Sequence, residues 1–473
     1  MPLFKGDLEK LPAHVPQEIK KFVKKRMDAG DFEGKKNQSL FSYLDFKDFN
    51  GKVFVLGLGE KADFSMTKAR ERGGELAKKL KKHKTEKISI CIAKSLEEYL
   101  TEFLEGFLMI QYDPSKFKKK TEEDGIKLEK LHIISGDKKD KKDLKGSVEK
   151  AMLTIEAMDY VKDLVNSPAN MVNGEYLAKD ALRMAKKYGY KIAILGNKEL
   201  KKLKSGGILA VNQGSKDEAK LIVLEYDGGK RKEKPIVIAG KGVVFDTGGY
   251  NLKPTGGIET MHQDMAGAGT VMGIFEILKR LKIKKNVVGI VPVVSNMISE
   301  TAYRPSDIIT MMNGKTVEIT NTDAEGRLIL ADALTYGLEL KPSMMITVAT
   351  LTGAVAAALG DRYCGILGND KKLIEKMKTS GDEVDDLMWE LPIHEDFREK
   401  IKSEVADLRN YDLGTGRYAG TAKAAAFLEN FVEKTPWGHI DTGGTAFTEN
   451  PKPYEHKGAT AQGLRAIIRF LEN

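Results

Sequence analysis

The feature that most constrains the fold is a set of short β-branched runs, each set off from the next by stretches with helical spacing. Residues 221–226, 235–239, 287–294 and 344–350 are almost continuously apolar, the pattern of strands covered on both faces. Helices are predicted over 174–187, 268–281 (amphipathic), 328–340, 421–432 and 464–471, with a further strand at 191–195. This alternation predicts an αβα arrangement around a central, mainly parallel (mixed) sheet. The N-terminal part also alternates, with strands at 52–56, 88–92 and 131–134 and helices at 66–82 and 96–110. A chain of 473 residues exceeds one ordinary core. The expected organisation is therefore α/β in two domains: a smaller one over 1–147, a linking helix over 148–165 closing at Asn166-Ser-Pro, and a larger one over 166–473. The charge-dense stretch 116–146 marks the end of the first.

Composition narrows the class. Two cysteines, Cys91 and Cys364, cannot build a disulfide framework, which points to a reducing compartment. The first residues lack the layout of a signal peptide, and the longest uncharged stretch, 342–360, reads as a buried strand, a loop and a helix start. The expectation is a soluble, cytoplasmic protein without a membrane span. Net charge is +9, and residues 1–150, with 34 Lys+Arg against 26 Asp+Glu, carry +8 of it. Such a balance suits nucleic acid. Most of these lysines are interleaved with acids, however, which favours a solvated surface. Gly57-Leu-Gly59-Glu-Lys-Ala62 follows a predicted strand and matches a dinucleotide fingerprint, but Lys94 stands where an acidic ribose anchor is expected. No phosphate-loop motif and no His-Glu-x-x-His occurs.

Three glycine-rich loops just past predicted strands collect the chemistry-bearing residues. The first holds Lys241, Asp246 and Lys253, the second Asp264, and the third Asp323, Glu325 and Arg327. In open α/β sheets, sites form beyond the carboxyl ends of strands, where these loops can converge. Four crowded carboxylates are unfavourable unless cations lie among them or some protonate. Oxygen ligands suit hard or borderline divalent ions, and four carboxylates can bridge a pair about 3.5–4 Å apart. None of the seven His stands at ligand spacing from another. Lys241 and Lys253 are each either a neutral ligand, which requires a drop from about 10.4, or a charged stabiliser. Arg327 keeps its proton and is an anion holder. Singly, Asp264 and the Asp323–Glu325 pair read as helix caps and Lys241 as exposed. Together they fit metal-assisted attack of water on a carbonyl.

Residues 321–328 (Asn-Thr-Asp-Ala-Glu-Gly-Arg-Leu) resemble the signature octapeptide of the leucyl (cytosol) aminopeptidase family. Residues 241–249, 252–254 and 261–268 are similar to that family's other metal-site segments, in order, and 166–170, 349–353 and 437–441 match further ones. The resemblance covers about residues 150–473 and rests on an eight-residue signature with ordered partner motifs. It implies a two-metal exopeptidase that releases N-terminal residues, leucine or others, from peptides. One divalent ion would be held by Asp246, Asp323 and Glu325, the other by Lys241, Asp246, Asp264 and Glu325. The ions implied are Mn²⁺ or Zn²⁺, with Mg²⁺ or Co²⁺ as alternatives, two per subunit. Lys253 would meet the developing oxyanion, and Arg327 would hold a bicarbonate acting as general base. The substrate's free amine, bound with help from Asp264, would register the chain end. A homohexamer is implied as well.

Departures from the family pattern fall at 439–444 (His-Ile-Asp-Thr-Gly-Gly), at 458–461 (Gly-Ala-Thr-Ala) and near 173–174. None changes a metal or catalytic position, and they bear on which first residue the pocket prefers. The competing expectation is a nucleic-acid-binding regulator that uses the basic N-terminal part, with peptidase activity secondary.

Overall fold

The computed structural model describes all residues except 9–10, 48, 84, 120–127, 136–140 and 416–417. Much of the charge-dense stretch expected to end the first domain therefore lies outside the described residues. The chain divides into two compact units, Met1–Ile155 with Asn450–His456, and Glu156–Glu449 with Lys457–Asn473.

In the smaller unit, strand Phe49–Gly59 is flanked by Pro2–Phe4 in parallel and Ser39–Phe46 antiparallel, and Lys87–Cys91 pairs in parallel with Lys130–Ile134. Helices Met66–Lys82 and Leu100–Met109 bury Leu76, Phe103 and Phe107 in a shared core. The sequence places one helix over 96–110; its start is instead a 3₁₀ segment, Lys94–Tyr99. Both glycines of the fingerprint lie within strand Phe49–Gly59, and its Ala62 falls in the short 3₁₀ segment Lys61–Asp63. A Cβ on Gly57 would stand 2.2 Å from the Lys35 carbonyl oxygen, so this glycine permits close backbone approach. Lysines here are answered by acids, as in Lys5–Glu60 at 3.0 Å and Lys61–Glu98 at 2.6 Å.

The larger unit is built on a nine-stranded mixed sheet. Its centre is four parallel strands in the order Trp437–Asp441, Met344–Ala349, Ile236–Gly240 and Asn286–Asn296. Strands Lys220–Asp227 and Lys191–Leu195 extend one edge antiparallel, Cys364–Gly368 and Met388–Glu390 the other, and Gly242–Asp246 pairs with the far half of Asn286–Asn296. Central strands are buried along their length, which explains their unbroken apolar runs.

Helix Ala266–Ile277 differs from its expected amphipathic character: all twelve residues are buried. Its outer side is covered by Val161, Val165 and Leu464, which approach Gly269 and Gly273. Helix Lys141–Val165 begins seven residues before the expected start. Helix Lys371–Val384 and strand Cys364–Gly368 have no counterpart in the sequence reading. Among the described residues no helix is long and apolar enough to cross a membrane.

Candidate metal centre

Parallel strands Ile236–Gly240, Met344–Ala349 and Trp437–Asp441 all end at one cleft of about 940 Å³. Lys241 sits between strands Ile236–Gly240 and Gly242–Asp246; its N–H donates to the Val348 carbonyl at 3.1 Å and its own carbonyl accepts from Ala268 N–H at 2.8 Å. Asp246 ends the second of these strands. Asp264 lies in the 3₁₀ turn Met261–Met265, and Asp323 and Glu325 precede helix Gly326–Glu339, whose first turn carries Arg327. Lys253 follows on a loop held by its N–H to the Thr247 carbonyl, 2.9 Å. All seven residues line the cleft, with Met261, Leu351, Ala354, Leu391 and Phe397 as its apolar wall.

The side chains interlock. Lys241 Nζ stands 2.8 and 2.7 Å from the two Asp264 oxygens, 2.7 Å from Glu325 Oε1, and donates to the Thr350 carbonyl at 3.0 Å. Lys253 Nζ is 2.9 Å from Asp246 Oδ2 and 2.5 Å from Asp323 Oδ1. The capping readings fail, because neither Asp264 nor Glu325 makes a side-chain cap to its helix. Lys241 is buried rather than exposed. Gly326 leaves room for its side chain: a Cβ there would lie 2.6 Å from Lys241 Cε.

Burial works against the charge of both lysines, but the surrounding carboxylates outweigh it and hold each above the ordinary lysine range. Burial raises Asp264 to about 8, with Glu325 and Asp246 adding to the rise and Lys241 opposing it. Burial, Glu325 and Asp246 lift Asp323 to about 6. Arg327 is lowered to about 10 by burial; its Nη1 donates to the Asn410 carbonyl at 2.7 Å and it lies 6.0 Å over the Tyr411 ring.

The donor set fits divalent cations. Asp246, Asp323 and Glu325 each offer an oxygen within 4.8 Å of the others. Asp264 Oδ2, Asp323 Oδ1 and Glu325 Oε1 are buried, and each meets a lysine ammonium, at 2.7, 2.5 and 2.7 Å. Each carboxylate keeps further lone pairs with which a cation could be held. Arg327 Nε is buried without a partner among the described residues, which fits a small anion.

Segments 349–353 and 437–441 are matched in the sequence without individual roles, and Asn296 and Asn410 are not singled out there; all shape this cleft. Thr350 Oγ1 donates to Asp264 Oδ1 at 2.6 Å. Asp441 accepts from the Leu351, Thr352 and Gly443 N–H groups, joining two strand-end loops. Asn410, fully buried, accepts from Thr320 N–H (2.9 Å) and Asn321 N–H (3.2 Å) and donates to the Asn321 carbonyl (2.6 Å), fastening the loop ahead of Asp323. Asn296 donates to Asp246. The one available signal was Asn296, polar at the carboxyl end of a long apolar run.

Two family models match: the cytosol aminopeptidase family's catalytic domain over residues 159–468, and its N-terminal domain over residues 2–121. The chain is 37% identical to a probable cytosol aminopeptidase of Protochlamydia amoebophila over 481 aligned positions, covering 100% of this chain and 95% of the relative. It is 39% identical to one of Cenarchaeum symbiosum, covering 89% and 86% respectively. A third, from Geobacter sulfurreducens, is 43% identical over 67% of this chain and 63% of its own length. None of these matches supports the nucleic-acid reading of the N-terminal part.

Proposed function

The chain belongs to the cytosol aminopeptidase family and is a metal-dependent aminopeptidase, and from that premise we propose how its residues divide the work. Asp246, Asp323 and Glu325 would hold one divalent cation, and Lys241, Asp246, Asp264 and Glu325 a second. The observation that carries this assignment is the convergence of carboxylate oxygens from Asp246, Asp323 and Glu325 within 4.8 Å of one another. When bound, paired divalent cations supply a water that deprotonates near neutral pH and polarise a carbonyl.

The remaining roles fall to groups facing the cleft. Lys253, only 17% exposed along its side chain, presents an ammonium whose charge favours negative charge building on the scissile carbonyl oxygen. Asp264 and the Thr350 hydroxyl line the same wall and would orient the substrate's free amine, which restricts cleavage to chain ends. Arg327 would hold bicarbonate. The apolar wall would take the first side chain, and its size supports a broad preference that includes leucine. Mn²⁺ or Zn²⁺ are the preferred ions, with Mg²⁺ or Co²⁺ as alternatives. We assign catalysis to residues 166–473, with 148–165 as linking helix and 1–147 as N-terminal domain, in a homohexamer working in the cytoplasm.

Incubation with Mn²⁺ or Zn²⁺ and leucine amide should release free leucine. Chelation should stop the release, and so should Asp323→Ala. Activity surviving both treatments contradicts the assignment.

A further inference from the structure

Resting on the two-cation reading, we propose that Asn296 is a positioning residue for the metal centre, its amide turning Asp246 so that one oxygen, Oδ2, faces the cations. Asn296 ends strand Asn286–Asn296 and is fully buried. Its Nδ2 donates to Asp246 Oδ1 at 2.7 Å, and the same oxygen receives the Gly248 N–H at 2.8 Å. Two donors occupy Oδ1. Asp246 Oδ2 has no such pair of donors and meets Lys253 Nζ at 2.9 Å. The carboxylate can therefore neither rotate nor exchange its oxygens without breaking two charge-assisted hydrogen bonds.

The same amide also donates to the Thr322 carbonyl at 3.0 Å, on the loop that carries Asp323. Its backbone carbonyl accepts from Thr247 N–H at 3.0 Å and Thr247 Oγ1 at 2.8 Å, just past Asp246. One residue thus ties together two loops, with Asp246 beside one and Asp323 on the other. Asn296 Oδ1 accepts no hydrogen bond among the described residues and is buried. The donating half of the amide is what the site uses.

The test is calorimetric titration of Mn²⁺ into metal-stripped wild type, Asn296→Leu and Asn296→Ala, with the melting temperature of each metal-free protein. Leucine fills the volume but cannot donate; alanine removes donor and volume together. Hydrogen-bond partners of metal ligands typically contribute 10- to 100-fold in affinity, so both variants should bind Mn²⁺ roughly 10- to 100-fold more weakly. Excess Mn²⁺ should restore most of the peptide hydrolysis, which would not follow from a merely structural role. Unchanged affinity in a folded variant, or a loss of activity that excess Mn²⁺ leaves in place, overturns the assignment while the two-cation reading stands. Wild type that takes up no ion removes that reading and the assignment with it.

Discussion

Two buried clusters of opposite charge lie in the larger unit, and they are finished differently. At the start of helix Leu464–Glu472, Asp386 accepts from Arg465 Nη2 at 2.8 Å on one oxygen and from the Gly463 and Ala466 N–H groups at 3.0 and 3.2 Å on the other. Both of its oxygens are engaged, and its charge complements the helix N-terminus. In the cleft, Asp264, Asp323 and Glu325 converge with Asp246 on two lysines, at 2.5–2.9 Å, and no backbone N–H caps the oxygens that face them among the described residues. A buried ion pair offsets its desolvation only when its remaining lone pairs are satisfied. Asp386 meets that condition within the chain, since each of its oxygens accepts a hydrogen bond. The cleft carboxylates are answered by lysine ammonium groups and keep lone pairs that would suit a cation.

Breaking each cluster should therefore give opposite phenotypes. Glu325→Ala should reduce kcat/KM by about 10³-fold or more, the equivalent of several kcal/mol of lost electrostatic stabilisation, with circular dichroism unchanged. A loss under tenfold would place Glu325 among structural groups like Asp386. Asp386→Ala should do the reverse, lowering unfolding stability by about 3–5 kcal/mol in denaturant titrations, because Arg465 is left buried without its carboxylate. Turnover per folded molecule should stay at the wild-type level. Lys253→Ala should lower kcat by about 10²- to 10³-fold while the metal content stays unchanged. Loss of the ions together with activity would move Lys253 from transition-state stabilisation to metal retention.

The smallest effect sharpens the comparison with a third group. His439 is buried, its Nδ1 paired with Thr347 Oγ1 at 2.9 Å and its Nε2 without a partner among the described residues. Burial, with Arg327 adding to it, lowers its pKa to about 3. The unfolded chain then binds the extra proton below about pH 6.5, so this contribution to stability is present above that pH and fades as pH falls toward 3. At pH 5 the loss is about 2 kcal/mol. Thermal unfolding of wild type and His439→Gln at pH 7 and pH 5 checks this: the variant should lose that part of the acid sensitivity. An equal pH response in both would mean that His439 is protonated in the folded protein.

Legibility in the sequence follows the physics of each element. Central strands such as Ile236–Gly240 and Met344–Ala349 are readable because burial on both faces leaves unbroken apolar runs. Helix Ala266–Ile277 is readable as a helix but not as a wholly buried one, since its outer cover comes from Val161 and Leu464, more than a hundred residues away from each side. Strand Cys364–Gly368, five residues with a glycine at its second and last positions, carries almost no β signal. In the cleft, the carboxylates and lysines stand out because charge in glycine loops past strands is unusual. Asn410 does not, and Asn296 shows only as a polar residue ending an apolar run. They are neutral amides whose partners lie 50 and 89 residues away, and nothing in their local sequence records the pairing.

The central claim is that the open cluster is completed by a pair of divalent cations. Anomalous diffraction from crystals grown with excess Mn²⁺ tests it most directly. Two peaks per subunit are predicted, about 3.5–4 Å apart, with Asp246 and Glu325 reaching both. Crystals in which Lys241 and Lys253 keep their present ion pairs and no anomalous peak lies among the four carboxylates would contradict it.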